Sequence, residues 1–145
     1  FEGFPAFDHL YGKLKPEWAA AFIRGEHPVK PRPWSEARMP AFPAYAGGLA
    51  EGLVTLAGLP PKTEPDPTPA DAAELAEAGR KVVSANGGFS CISCHGVGEF
   101  GATQVFEAPG INLALSFDRL QPEYFRRWLR APTMIDSSSK MPVYF

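Results

Sequence analysis

The apolar positions of this chain mark three helices. Leu75, Ala78, Val82 and Val83 recur at helical spacing and predict a helix over 70–86. Thr68 supplies a cap, Pro69 suits the first helical position and Asp71 brings negative charge to the first turn. Asn86-Gly87-Gly88 ends that helix, because Asn and Gly tolerate left-handed backbone angles. A second helix is predicted over 122–130. Pro122 opens it, Glu123 favours its positive end, Phe125, Trp128 and Leu129 share a face, and Pro132 stops it. Leu49, Leu53, Val54 and Leu56 predict a third over 47–57, closed by Gly58. Between the first two lies a glycine-rich loop region, from 87 to about 115.

Residues 60–69 read PPKTEPDPTP and hold five prolines, so they predict an extended connector. It separates an N-terminal segment, 1–59, from a C-terminal segment, 70–145. The two share a string. Tyr11-Gly-Lys-Leu-Lys-Pro-Glu-Trp18 aligns with Phe117-Asp-Arg-Leu-Gln-Pro-Glu-Tyr124, at an offset of 106 residues. Each string leads into a short helix ending in Arg, at Arg24 and Arg130, and then through a loop to Met39-Pro40 or Met141-Pro142. Two unrelated proline-started helices are the competing reading; the shared string and the matching Met-Pro favour an internal duplication. The first segment then corresponds to the back half of a unit, and the second stops where a closing helix is expected.

Composition narrows the class. The 145 residues are 45% apolar and 21% charged, values ordinary for a packed globular chain. No apolar run reaches the roughly 20 residues of a membrane-spanning helix. The longest candidate, 44–59, is interrupted by Gly47, Gly48, Glu51 and Gly58. Fourteen basic against sixteen acidic residues leave a net charge of −2, which argues against a nucleic-acid partner. Eleven phenylalanines suggest something flat to pack against. The chain opens at Phe1 without an initiator Met or signal-like segment, and so reads as a processed product, a cloned piece or part of a larger chain.

Both cysteines lie in Cys91-Ile-Ser-Cys94-His95, which excludes a disulfide-stapled scaffold. C-x-x-C-H is the attachment signature of c-type haem: two thiols on one turn bond to two vinyl groups, and the adjacent imidazole faces the iron. Two other chemistries use parts of the pattern. A redox dithiol normally opens a helix in a strand-rich fold, and no such fold is evident. A structural zinc site needs four ligands, and no second Cys pair exists.

On these residues the chain resembles the class I cytochrome c family. The resemblance covers 70–145 through the leading helix, Cys91-Ile-Ser-Cys94-His95, Pro109, the aromatic helix and Lys140-Met141-Pro142. It covers 1–59 as the distal half of the same kind of domain, with Met39-Pro40 in the ligand-loop position. The whole resembles a piece of a tandem cytochrome c, the two-haem form included. The fold this implies is all-α: helices around one haem, with long Pro/Gly-rich loops and an N-terminal partial repeat. The implied cofactor is one haem c, covalent through Cys91 and Cys94. The implied axial ligands are His95 and Met141, 46 residues apart. Met134 is the rival, read here as a core-facing residue at a helix exit. A bis-His alternative needs His9 or His27, each read as a surface histidine. The family implies that the Pro109 carbonyl orients the proximal His, although here the order is Ala108-Pro109-Gly110 rather than Gly before Pro. Phe89, Phe106, Ile111, Leu113, Phe125, Trp128 and Leu129 are expected pocket wall, with ordinary core packing as the alternative for each. Of Arg126, Arg127 and Arg130, one is expected at a haem propionate, and Arg130 is included among the site residues.

With both axial positions filled, the implied function is one-electron transfer between redox partner proteins. The runner-up is a haem domain or subunit of a larger oxidoreductase of a respiratory chain. A third reading is a ligand-binding haem sensor, which requires a weak or absent Met ligand. The resemblance implies a periplasmic or otherwise extracytoplasmic setting, with any membrane association made through a partner or a segment outside these residues.

Overall fold

A computed structural model describes residues 10, 12–64, 67–104 and 109–144. Phe106 and His9, both named above, lie outside the described residues. The chain is helical, and among the described residues no β-strand forms. Among the described residues six α-helices appear in order: α1 (Pro16–Arg24), α2 (Ala46–Leu56), α3 (Ala72–Val83), α4 (Ser116–Arg119), α5 (Pro122–Arg130) and α6 (Pro132–Ile135). Two 3-10 turns, Cys91–Ser93 and Leu113–Leu115, lie between α3 and α4. Among the described residues no helix is long and apolar enough to cross a membrane.

The chain forms two compact units. The first draws on Phe1–Val29, Ala37–Thr63 and Phe117–Phe145; the second on Lys30–Glu36 and Glu64–Ser116. The core of the first unit is the packing of α1 on α2, which buries Trp18 and Ala19 from one helix and Ala46, Ala50 and Val54 from the other. The spacing 46, 50, 54 places three small or branched side chains on one stripe, so the two backbones approach closely. Burying Val54 alone contributes roughly 1.5–3 kcal/mol. Tyr124 and Pro132 are buried in the same unit.

Helices α1 and α5 carry the duplicated string, and each runs from its proline to its arginine over nine residues. Proline at the first position lacks the N–H that would be orphaned there, and Glu17 or Glu123 follows at the positive end. Their approaches pair directly. Leu14 and Leu120 form an isolated antiparallel bridge. The Lys15 N–H donates to the Arg119 carbonyl and the Gln121 N–H to the Lys13 carbonyl, both at 2.9 Å. Under the offset of 106, each of these bonds maps onto the other.

In the second unit α3 is shorter than the periodicity predicts. Thr68 and Pro69 lie before it outside any helix, a turn at Ala70 and Asp71 leads in, and Asp71 is the residue at its start, without a side-chain cap. It ends at Val83 rather than at Asn86, because the chain folds back over its last turn. The Phe89 N–H donates to the Val82 carbonyl at 2.8 Å and the Ser90 N–H to the Ser84 carbonyl at 3.0 Å. The predicted apolar face of α3 is largely exposed, Leu75 at 51% and Val82 at 43%. At the other end of the chain Pro132 both terminates α5 and opens α6. A proline disfavours helical backbone in the residue before it, and Ala131 lies outside the helical region, at φ −154° and ψ 67°.

Candidate haem-attachment site

The 3-10 turn Cys91–Ser93 follows Ser90, whose φ of 58° lies in the left-handed region. The N–H groups of Cys94 and His95 both donate back to the Cys91 carbonyl, at 3.2 and 2.9 Å. One tight turn thus carries both thiols and the imidazole. Both cysteines are free; Cys91 is half-buried and Cys94 exposed. Burial pushes the Cys91 thiol up from its ordinary value, partly offset by a hydrogen bond to its own backbone, with the neighbouring Cys94 adding a smaller upward push. The thiol is therefore held protonated at neutral pH.

His95 is fixed from the other side. It bridges Gly110 in parallel register, and the Gly110 N–H donates to the Cys94 carbonyl at 2.6 Å. The imidazole lies against Gly110 so closely that a Cβ there would overlap the ring; only glycine fits. His95 Nδ1 lies 2.7 Å from the Ile111 carbonyl oxygen. A carbonyl only accepts, so Nδ1 carries the proton and Nε2 presents its lone pair. The resemblance implied this orienting role for Pro109. The acceptor is Ile111, two residues further on, because the bridge at Gly110 draws the following carbonyl under the ring. Asn112 secures the loop: its side-chain oxygen accepts from the N–H groups of Gly98 and Ala114, both at 3.0 Å, and its amide donates to the Gly98 carbonyl at 2.7 Å. Neither Gly110 nor Asn112 was expected in a site role. An Asn directly before the apolar Leu113–Leu115 turn was the available signal, since Asn favours helix starts.

These residues fit a c-type haem by the chemistry of the donor set: two free thiols on one turn and an imidazole whose tautomer leaves Nε2 as the donor. Among the described residues, no group of three or more His, Cys, Asp or Glu gathers into a metal-chelating cluster. No family model, curated protein or solved structure matches this chain. Its reading therefore rests on its own residues.

Ile111 and Leu113 are half-buried in the second unit, as is Phe89. The remaining expected site residues belong to the first unit. There Trp128 stacks on Tyr124, ring centroids 5.9 Å apart. The Trp128 indole N–H donates to Met141 Sδ at 3.0 Å. A thioether has two lone pairs, so this bond holds the sulfur in place and leaves a second pair for a metal. Ser139 Oγ accepts the Met141 N–H at 3.2 Å, which fixes the approach to the loop. Met141 is half-buried, whereas Met134 is 86% exposed on α6. The reading of Met134 as core-facing is thereby corrected: α6 is a single turn, and its outer side bears that side chain. Met39 is 50% exposed. His27 stacks on Trp18 at 4.6 Å, and its Nε2 meets the Trp18 carbonyl at 3.2 Å, so it is tied to α1 rather than lying loose on the surface. Leu129 is half-buried, Phe125 is exposed on α5, and Arg130 is exposed in its last turn. Arg126 lies 3.8 Å from Glu123 in an exposed pair, which is worth little.

Proposed function

We propose that this chain is an electron carrier of the cytochrome c type, with one haem c attached through Cys91 and Cys94 and ligated by His95 and Met141. The observation that carries the reading is the turn Cys91–His95, in which the N–H groups of Cys94 and His95 both close on the Cys91 carbonyl and His95 Nδ1 is engaged by Ile111. When bound, the haem supplies a one-electron Fe(III)/Fe(II) couple. The chain's residues do the rest. The Ile111 carbonyl orients the imidazole and leaves Nε2 as the nitrogen that would face the iron. Met141 offers a soft sulfur that favours the reduced iron, and Trp128 holds that sulfur. With His95 and Met141 both holding the iron, the group would be left to exchange electrons with partner proteins rather than to bind a substrate. A periplasmic or otherwise extracytoplasmic setting belongs to the same proposal.

The test is spectroscopic. Acid–acetone extraction leaves colour on the purified holoprotein, and a pyridine haemochrome assay returns one haem per chain. The oxidised protein shows a near-infrared sulfur-to-iron band that disappears in Met141→Ala. Extraction of all colour, or rapid carbon monoxide binding by the reduced wild type, overturns the proposal.

A further inference from the structure

The two copies of the duplicated string contact each other through more than their backbones. The Lys13 ammonium lies over the rings of Tyr124 and Trp128, 5.5 and 5.7 Å from their centroids. Arg119, the counterpart of Lys13 under the 106-residue offset, lies 5.4 Å over Trp18, the counterpart of Tyr124. The aromatic pairs correspond too: Trp18 stacks on Phe22 at 5.0 Å as Tyr124 stacks on Trp128. Each copy thus places a cation over an aromatic ring of the other: Lys13 over both Tyr124 and Trp128, Arg119 over Trp18. The reciprocity shows that both contacts follow from one docking geometry, set by the paired bonds at Lys15 and Gln121.

The two contacts differ in what lies behind them. Beyond Trp128 lies the Met141 sulfur, on the indole N–H. Beyond Phe22 there can be no such bond, because phenylalanine has no N–H. We infer that the first repeat acts on the ligand loop of the second: Lys13 is a positioning residue that holds the Trp128 ring, and Trp128 holds the Met141 sulfur. This rests on the proposed role of Met141. It gives the N-terminal partial repeat a purpose that does not require a haem of its own.

The magnitude is modest. A cation over an aromatic face at a half-buried site shifts an equilibrium about two- to fivefold. In the holoprotein, Lys13→Gln raises the fraction of chains lacking the near-infrared Met141 band at alkaline pH by about that factor. Lys13→Arg restores it, because guanidinium also sits over aromatic rings. In a Trp128→Phe background Lys13→Gln adds nothing, since the relay is already cut. The same chain of contacts is read without haem, through hydrogen exchange of the Trp128 indole proton, which Lys13→Gln accelerates about two- to fivefold. An unchanged band and unchanged exchange in Lys13→Gln overturn the inference, as does an equal effect of Lys13→Gln in the Trp128→Phe background. A wild type with no covalent haem sinks the proposed function instead, and the exchange measurement still decides whether Lys13 governs Trp128.

Discussion

Helices α1 and α5 begin alike and end differently. Both start at a proline, run nine residues and finish at an arginine. The next position is Gly25 in one and Ala131 in the other. Gly25 takes φ 80°, and two N–H groups, its own and that of Glu26, close on the carbonyls of Phe22 and Ala21 at 3.0 Å each. The chain then returns across the helix end, where the Phe42 N–H donates to the Ile23 carbonyl at 2.8 Å. Ala131 leaves the helical region before Pro132, at φ −154° and ψ 67°, and the chain goes on into α6. The loop after α1 leaves Met39 half exposed; the loop after α5 brings Met141 to Trp128. Among the differences between the two segments, Gly against Ala at the helix exit and Phe against Trp on the helix accompany a half-exposed Met39 in one and a Met141 sulfur that accepts an indole N–H in the other.

The sharpest way to break this comparison concerns the haem count. Only the second repeat carries a thiol pair. Cys91→Ser combined with Cys94→Ser removes all covalent haem, checked by acid–acetone extraction and haem staining of the denatured chain. One haem retained would show that the first repeat binds its own.

Next in size is an alkaline effect confined to the second aromatic pair. Burial pushes the Tyr124 hydroxyl up to about 12, while Arg119 pulls the other way. The unfolded chain releases this proton near pH 10. The fold therefore favours the protonated form, and the stability so gained is complete below about pH 10 and lost as pH rises through about 12. The loss is on the order of 2 kcal/mol, read by denaturant unfolding across that range. Lys13, Arg119, Arg127 and Asp136 also face or influence this ring, so Tyr124→Phe is the control. It removes the tyrosine's share of the slope. At neutral pH it costs little, because the hydroxyl is buried with no hydrogen-bond partner among the described residues.

The helix ends give a smaller contrast. Gly25→Ala forces a left-handed alanine and brings a Cβ to 3.0 Å from that of Ala41, which costs about 1–2 kcal/mol. The reverse change at the matching position, Ala131→Gly, costs about 0.5 kcal/mol, through unfolded-chain entropy alone. Thermal unfolding of the two variants measures the difference; equal costs would remove the role given to the helix exits. Smallest is the hydrogen-bond share in Trp128→Phe, which makes the second repeat chemically like the first. Loss of the N–H to sulfur bond contributes about 0.5 kcal/mol. Its signature is greater mobility of the Met141 methyl group by NMR, with no change at Met39.

Much was legible in the linear order. The spans of α1 and α5 follow from Pro, the apolar spacing and Arg, and α2 lies within one residue of its predicted bounds. The haem-binding reading came from five adjacent residues. These features are local: a helix start, a turn and a thiol spacing depend on neighbours in the chain, which the sequence states directly. What failed was what depended on distant backbone. The end of α3 was set by a return of the chain that no periodicity encodes. The acceptor for His95 moved from Pro109 to Ile111 because of a bridge between residues fifteen positions apart.

The sequence by itself determined most of the helical elements, the two matching strings and the thiol–imidazole spacing. Only the tertiary structure decided that the duplicated strings pair with each other, that Lys13 lies over Trp128, and that Met141 rather than Met134 is held. The reason is physical. Helix and turn preferences are carried by each residue and its near neighbours. A cation over a ring or an N–H on a sulfur exists only once two distant stretches have been brought within a few ångströms.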